Sequence, residues 1–109
     1  MTKEELWNWL TKNGLERDDR IVYIEYRINR QLFLSVFNDT IIRIYTPYWT
    51  SYLKRIEPKI INTVSIKELS IVSLNEYFRQ FKVDNEKVKL KIKTYTINKK
   101  KQELMKDFS

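Results

Sequence analysis

The chain has 109 residues, 42% of them hydrophobic, and its 21 Lys and Arg against 14 Asp and Glu give a formal net charge of +7. This composition excludes a disordered chain and predicts a single domain over residues 1–109. Cysteine and histidine are both missing, which excludes disulfides, thiol nucleophiles, serine–histidine triads and the usual zinc sites. We therefore expect a non-enzymatic protein with no catalytic residues, no metal and no cofactor.

Composition and the first residues also bear on the cellular setting. The first ten residues carry acids, and no window approaches the ~18 apolar residues of a membrane span, so we expect a cytoplasmic protein without a membrane partner. The chain has no alanine, a single glycine and many Ile, Lys, Asn and Tyr residues. That bias is typical of AT-rich coding sequences and indicates a low-GC bacterium, its phage or a plasmid.

The positive charge is concentrated after residue 40. Residues 1–40 hold six Lys and Arg against seven Asp and Glu, residues 41–82 seven against three, and residues 83–109 eight against four. A basic half of this kind favours a polyanionic partner. Charge alone leaves an alternative equally open, in which the excess only keeps a lysine-rich protein in solution.

The N-terminal residues predict a helix. Thr2 and Glu5 form a capping box, apolar residues follow at helical spacing, and Gly14 suits the left-handed residue that ends a helix. The predicted helix covers about residues 3–13.

An antiparallel meander is predicted next, because three segments alternate between apolar and polar residues and are joined by two-residue links. The segments are residues 20–28, 31–37 and 40–46. The links place Ile28 opposite Gln31 and Phe37 opposite Thr40. The predicted core face is Val22, Ile24, Tyr26, Ile28, Phe33, Phe37, Ile42 and Ile44. The predicted outer face is Ile21, Tyr23, Glu25, Arg27, Leu32, Leu34, Val36, Ile41, Arg43 and Tyr45, and a one-residue error in either link would exchange parts of the two sets.

The rest of the chain predicts further helices and a lysine-rich strand. Thr46 and Pro47 suit the start of a second helix that Pro58 ends. The apolar stripe of this predicted helix is Trp49, Tyr52, Leu53 and Ile56. A short strand and a helix over residues 74–82 follow, and residues 98–109 are predicted to be a frayed terminal helix or tail. The anchors predicted for that tail are Leu104, Met105 and Phe108. Together these elements predict an α+β fold with an N-terminal helix, a three-stranded meander, further helices and a lysine-rich strand.

Two acidic features of the sequence bear on catalysis. Asp18 and Asp19 are adjacent and point to opposite sides of an extended chain, which makes them a poor metal pair. Residues 57–59 form the one Glu-x-Lys string, a pattern that Mg²⁺-dependent nucleases of the restriction-enzyme type use. Its central proline suits a central strand poorly. Neither feature predicts an enzyme.

Lysines dominate the stretch from Glu86 to Lys101. In a strand with a ~3.3 Å rise, alternate residues share a face, so the four alternating lysines would form a ladder about 20 Å long, with Val88, Leu90 and Ile92 facing inward. Such a ladder can follow a phosphate backbone. The residues predicted to contact phosphates are Lys87, Lys89, Lys91, Lys93, Lys99, Lys100 and Lys101. Arg27 and Arg43 are predicted to add contacts from the outer face of the meander, with Tyr23 and Tyr45 stacking on bases.

The alternative is that lysines on an edge strand only discourage pairing with other strands, and that the tyrosines are structural. The stretch from Glu86 to Lys101 has seven lysines and one acid, which favours contact with nucleic acid over simple protection of an edge strand. The predicted function is therefore a small, basic, non-enzymatic nucleic-acid-binding accessory protein with DNA favoured over RNA, and its predicted source is a phage or plasmid. The alternative function is a protein–protein module, such as a phage-encoded inhibitor of a host protein, an assembly subunit or a homodimer.

Overall fold

The structure of the protein, a computed structural model, describes residues 1–107. Its helices are α1 (Lys3–Lys12) and α2 (Ile71–Asp107), and a short 3₁₀ turn covers Ile66–Glu68. Its strands are β1 (Glu16–Asp19), β2 (Tyr23–Ile28), β3 (Gln31–Phe37), β4 (Ile41–Thr50) and β5 (Arg55–Ser65).

The five strands form one antiparallel sheet in the order β1-β2-β3-β4-β5. Both helices pack on the same face of this sheet. The ring of Phe33 in β3 lies 6.1 Å from that of Trp9 in α1 and 5.2 Å from that of Phe78 in α2. The predicted α+β class is confirmed, and the three predicted strands are the centre of a larger sheet.

The first helix follows the prediction closely. The Glu5 amide donates to Thr2 Oγ1 at 3.2 Å and the Thr2 amide donates to Glu5 Oε1 at 3.3 Å, which completes the capping box. Gly14 ends the helical segment with a φ of +77°, a conformation that glycine adopts without steric cost. The buried residues of α1 are Leu6, Trp9 and Leu10.

The first edge strand was not predicted. β1 is wholly polar, so it carries no alternating apolar pattern, yet it pairs with β2 along its length. Val22, predicted for the core, lies in the turn between these strands and is 71% exposed. The first link of the meander has the predicted length, with Ile28 opposite Gln31.

A bulge in β3 changes the faces that the alternation predicts. The register of β2 against β3 shifts at Phe33, which is the extra residue. Leu34 and Val36, predicted for the outer face, therefore join Phe33 in the core. Phe37, predicted for the core, lies on the outer face and stacks on Tyr23 with ring centroids 4.8 Å apart.

The second link restores the original faces because it is one residue longer than predicted. Phe37 lies opposite Ile41 rather than Thr40. Ile42 and Ile44 consequently reach the core, where both are fully buried. The core-face predictions that the structure confirms are Ile24, Tyr26, Ile28, Phe33, Ile42 and Ile44.

The helix predicted to begin at Pro47 is wrong. β4 continues through Pro47, and β5 returns antiparallel to it with Pro58 opposite Pro47. Two prolines can face each other only where the residue pair exchanges no hydrogen bonds, since neither has an N–H. Thr46, the predicted N-cap, instead donates its side-chain hydrogen bond to the carboxylate of Asp84 in α2.

The lysine-rich strand predicted from Glu86 onward is also wrong, because α2 continues through this stretch without interruption. Val88 and Ile92 face the sheet, as they would in the predicted strand, since residues four apart share a face in both structures. The exposure of Leu90 distinguishes the helix from the strand, because a strand would turn Leu90 to the same side as Val88. Leu90 is 65% exposed, whereas Val88 is 4% exposed.

Both ends of α2 differ from the prediction. The helix begins before residue 74 because Ser70 and Ser73 cap it reciprocally, the Ser73 amide donating to Ser70 Oγ at 3.1 Å and the Ser70 amide to Ser73 Oγ at 3.0 Å. At the other end Leu104 and Met105 are 59% and 74% exposed, so they do not anchor the terminus. Phe108, the third predicted anchor, lies outside the described residues.

The last part of α2 extends past the sheet. Tyr95 is half-buried against Trp49 near the end of β4, whereas residues 96–105 are all exposed. With 37 residues and a ~1.5 Å rise, α2 is about 55 Å long. The longest dimension of the protein is accordingly 63 Å.

Candidate nucleic-acid interface

The lysines predicted to bind phosphates all lie on α2, in the stretch of residues 87–101 that we name the basic segment. This segment carries seven lysines and no acidic residue over about 21 Å of helix. All seven lysines are exposed. Lys89 pairs with Glu86 at 3.3 Å, and among the side chains that the structure describes no carboxylate pairs with the other six. The basic segment is therefore a source of largely uncompensated positive charge.

An open groove of about 420 Å³ separates α2 from the end of the β4–β5 hairpin. Trp49 and Ser51 line it from the hairpin. Its lining residues from α2 are Leu90, Lys91, Thr94, Tyr95 and Asn98.

The helix distributes the lysines around its circumference instead of aligning them on one face. Residues three or four apart share a helix face, so one set of lysines lines up with Thr94 and Asn98 along the groove. This groove row consists of Lys87, Lys91 and Lys101. A second set on another side of α2, the far row, consists of Lys89, Lys93 and Lys100. Lys99 belongs to neither row. The predicted ladder of four consecutive alternating lysines is therefore divided between two sides.

Arg27, predicted to share this interface, lies on the outer face of the sheet, away from both helices. Its guanidinium donates to the carboxylate of Glu25 at 3.0 Å, and Arg20 donates to the same carboxylate at 2.7 Å. The hydrogen bond to Glu25 raises the pKa of Arg20. Because Glu25 is only 4% exposed, the two arginines compensate a buried charge. Arg27 thus has a structural partner.

Arg43 and the two tyrosines also serve the outer face. The Arg43 guanidinium lies 4.5 Å from the centroid of the Phe37 ring, which is a cation–π contact. Tyr45 is buried and shares a hydrogen bond of 2.9 Å with Ser35. Tyr23 stacks on Phe37. The structure therefore separates Arg27, Arg43 and these tyrosines from the lysines by the thickness of the sheet.

The acidic residues considered for catalysis have arginine partners. Asp18 pairs with Arg20 at 2.9 Å and Asp19 with Arg17 at 2.8 Å. Glu57 of the Glu-x-Lys string accepts a hydrogen bond from Arg55. Among the described side chains, those of residues 1–105, no three His, Cys, Asp or Glu are grouped as a metal site would require.

Over the same residues, neither helix has a stretch long and apolar enough to span a lipid bilayer.

Comparison with known proteins adds no relative. No family model, curated protein or solved structure matches this chain. The function has to be inferred from the site itself.

Sequence reasoning missed Trp49 as part of the candidate site. It placed Trp49 on the apolar stripe of a helix, whereas the ring lies beside α2 with its centroid 6.1 Å from that of Tyr95. The sequence carries no local signal for it, because Pro47 and Pro58 suit the two ends of a helix as well as they suit positions without ladder hydrogen bonds in a hairpin.

Proposed function

We infer that this protein binds the phosphate backbone of nucleic acids through the basic segment of α2, without catalysing a reaction. The observation that carries this function is the run of seven exposed lysines with no acidic residue on a helix that extends past the body of the protein. Lysine ammonium groups bind phosphates as point charges, and each contact releases condensed counterions.

The salt dependence of binding tests this function. Four to seven phosphate contacts predict that log Kobs falls against log salt with a slope of about −3 to −6, since each contact contributes about −0.7 to −0.9. Fluorescence polarisation with labelled duplex DNA, single-stranded DNA and duplex RNA at several salt concentrations measures the slope. Absence of binding to all three ligands at low salt would contradict the proposal.

A second candidate function is supported by an apolar stripe on the side of α2 that faces away from the sheet. The stripe consists of Val83, Leu90, Ile97 and Leu104, which are seven residues apart and between 38% and 65% exposed. The far row and the groove row flank it on its two sides. This arrangement suits an acidic amphipathic helix of a partner protein. A second copy of this chain suits it poorly, because pairing would bring two basic segments together.

A double variant separates the two candidates. Ile97→Gln with Leu104→Gln keeps all seven lysines and lies outside the groove, so nucleic-acid binding is expected to remain unchanged. The same variant is expected to lose any binding of a labelled acidic amphipathic peptide, because it removes half of the apolar stripe. Polarisation titrations of both ligands, read side by side, measure the two effects. Loss of nucleic-acid binding in this variant would argue that the lysines are not the main contacts.

A further inference from the structure

The groove between α2 and the β4–β5 hairpin contains a partly exposed pair of aromatic rings. The rings of Trp49 and Tyr95 lie 6.1 Å apart at an interplanar angle of 57°. Both side chains are half-buried and line the groove from opposite sides. Trp9, by contrast, is buried in the core and donates its indole hydrogen bond to Asn75. Trp49 is therefore a ring that is held by packing and still accessible from the groove.

Polar and positive groups surround these rings. Lys91 lies in the groove lining, and the polar side chains of Ser51, Thr94 and Asn98 lie beside it. Lys87 and Lys101 continue the line of Lys91 along α2. The groove and the face of α2 that continues from it thus combine an aromatic surface with a lysine row over about 21 Å of helix, of which Lys91 lines the groove itself. This is the combination that binds single-stranded nucleic acids.

Only an unpaired base can use such an aromatic surface. In a duplex the faces of the bases are covered by their neighbours, and a protein reaches only their edges in the grooves. In a single strand the bases can turn out of the stack and lie against a tryptophan or tyrosine ring, while the backbone follows positive side chains.

We propose that this groove binds single-stranded nucleic acid, with an unpaired base stacked on Trp49 and the adjoining phosphates bound by the groove row. This inference rests on the proposed function, because the lysines must first bind a nucleic-acid backbone. It goes further in naming the ligand class and in giving the two rows different roles. The groove row contacts the bound strand beside the base, and the far row contributes only general attraction.

The experiment compares variants of the full chain against four probes: oligothymidylate and oligouridylate longer than the ~4–16 nucleotides of a typical site, duplex DNA, and heparin as a polyanion without bases. Trp49→Leu is expected to weaken binding of both single strands by roughly 5- to 150-fold, the range that stacking of one base spans. Its binding of duplex DNA and heparin is expected to remain unchanged. A difference between the two single-strand probes tells whether DNA or RNA is preferred.

The two lysine rows provide a matched pair of variants. Changing the groove row to Gln and changing the far row to Gln each lower the net charge from +7 to +4, since three lysines are removed in both. The groove-row variant is expected to lose more affinity for single strands than the far-row variant, and the two are expected to lose heparin binding equally. Both row variants keep the Trp49 and Tyr95 rings, so this comparison stays valid if Trp49→Leu loosens the hairpin. Trp49→Phe, which keeps a ring, is expected to retain part of the single-strand preference.

The outcomes distinguish failure of the single-strand groove proposal from failure of phosphate binding by the basic segment. Duplex binding as tight as single-strand binding, equal losses from the two rows, or a Trp49→Leu variant with wild-type affinity for single strands would each overturn the groove assignment. The proposed function would survive those results, because heparin and duplex binding would persist. Absence of binding to all four probes at low salt would overturn both.

Discussion

Changing Lys87, Lys91, Lys93 and Lys100 to Gln is expected to weaken binding of duplex DNA, whose two backbones can meet lysines on both sides of a helix, by on the order of 10³-fold at ~0.1 M salt. Each phosphate contact makes the affinity fall with about the 0.9 power of the salt concentration. One contact therefore raises the affinity roughly 8-fold at ~0.1 M salt relative to ~1 M salt, and the factors of four contacts multiply. Gln and Lys have nearly equal helix propensities, so α2 is expected to persist, as circular dichroism can verify. Polarisation titrations at several salt concentrations measure the affinity and its slope, which is expected to decrease by about 3 to 4.

The matched control removes the same charge elsewhere. Changing Lys3, Lys12, Lys59 and Lys67 to Gln also lowers the net charge from +7 to +3, and all four side chains are exposed and lie outside α2. This variant is expected to lose far less affinity than the α2 variant, because long-range attraction between exposed charges is largely screened beyond ~10 Å. Equal losses in the two variants would show that net charge, and not the basic segment, governs binding.

Phe33→Ala is expected to lower the free energy of unfolding by about 3–5 kcal/mol. The Phe33 side chain is fully buried, and its ring contacts those of Trp9, Phe78 and Phe81. The mutation therefore removes contacts that join both helices to the sheet and leaves a cavity among them. A domain of this size has a total stability of about 5–15 kcal/mol, so a large part of it would be lost. Urea unfolding followed by circular dichroism measures the change.

Phe37→Ala is the control for this prediction, since it deletes the same atoms four residues along the same strand. Phe37 is half-buried on the outer face, where it contacts Tyr23 and Arg43. Its replacement is expected to cost about 1–2 kcal/mol, within the range of ordinary substitutions. Equal costs at the two positions would mean that both rings face the core, as the alternation predicts, and would contradict the bulge at Phe33.

Local signals explain how much of the fold could be predicted. The capping box at Thr2, the glycine at residue 14 and the alternation of residues 20–28, 31–37 and 40–46 concern neighbours in the chain, and the structure contains a helix and three strands within these stretches. The bulge at Phe33 could not be predicted. It adds one residue to one strand without a mark in the sequence, and it reverses the faces of Leu34 to Phe37 until the longer second link reverses them again.

The chain after residue 46 was harder to predict because its sequence patterns fit both a helix and a strand. Trp49 and Ile56 are seven residues apart, which suits one face of a helix, yet they lie opposite each other across the β4–β5 hairpin. The sequence therefore predicted the wrong element while selecting residues that do lie together. The same ambiguity moved the candidate site, because lysines predicted on one strand face are divided between two sides of a helix.

The excess of positive charge, its concentration in the basic segment and the lack of cysteine and histidine chemistry all follow from the amino-acid sequence. So does the shared face of Val88 and Ile92, because a spacing of four residues places them together in a strand and in a helix. The choice between strand and helix depends on packing against the rest of the chain. As a helix, α2 can continue the apolar surface begun by Leu74, Phe78 and Phe81 against the sheet, and Leu90 is left exposed on the opposite side. Burial of that longer apolar surface stabilises the helix, and this stabilisation cannot be read from the local alternation of residues 86–95.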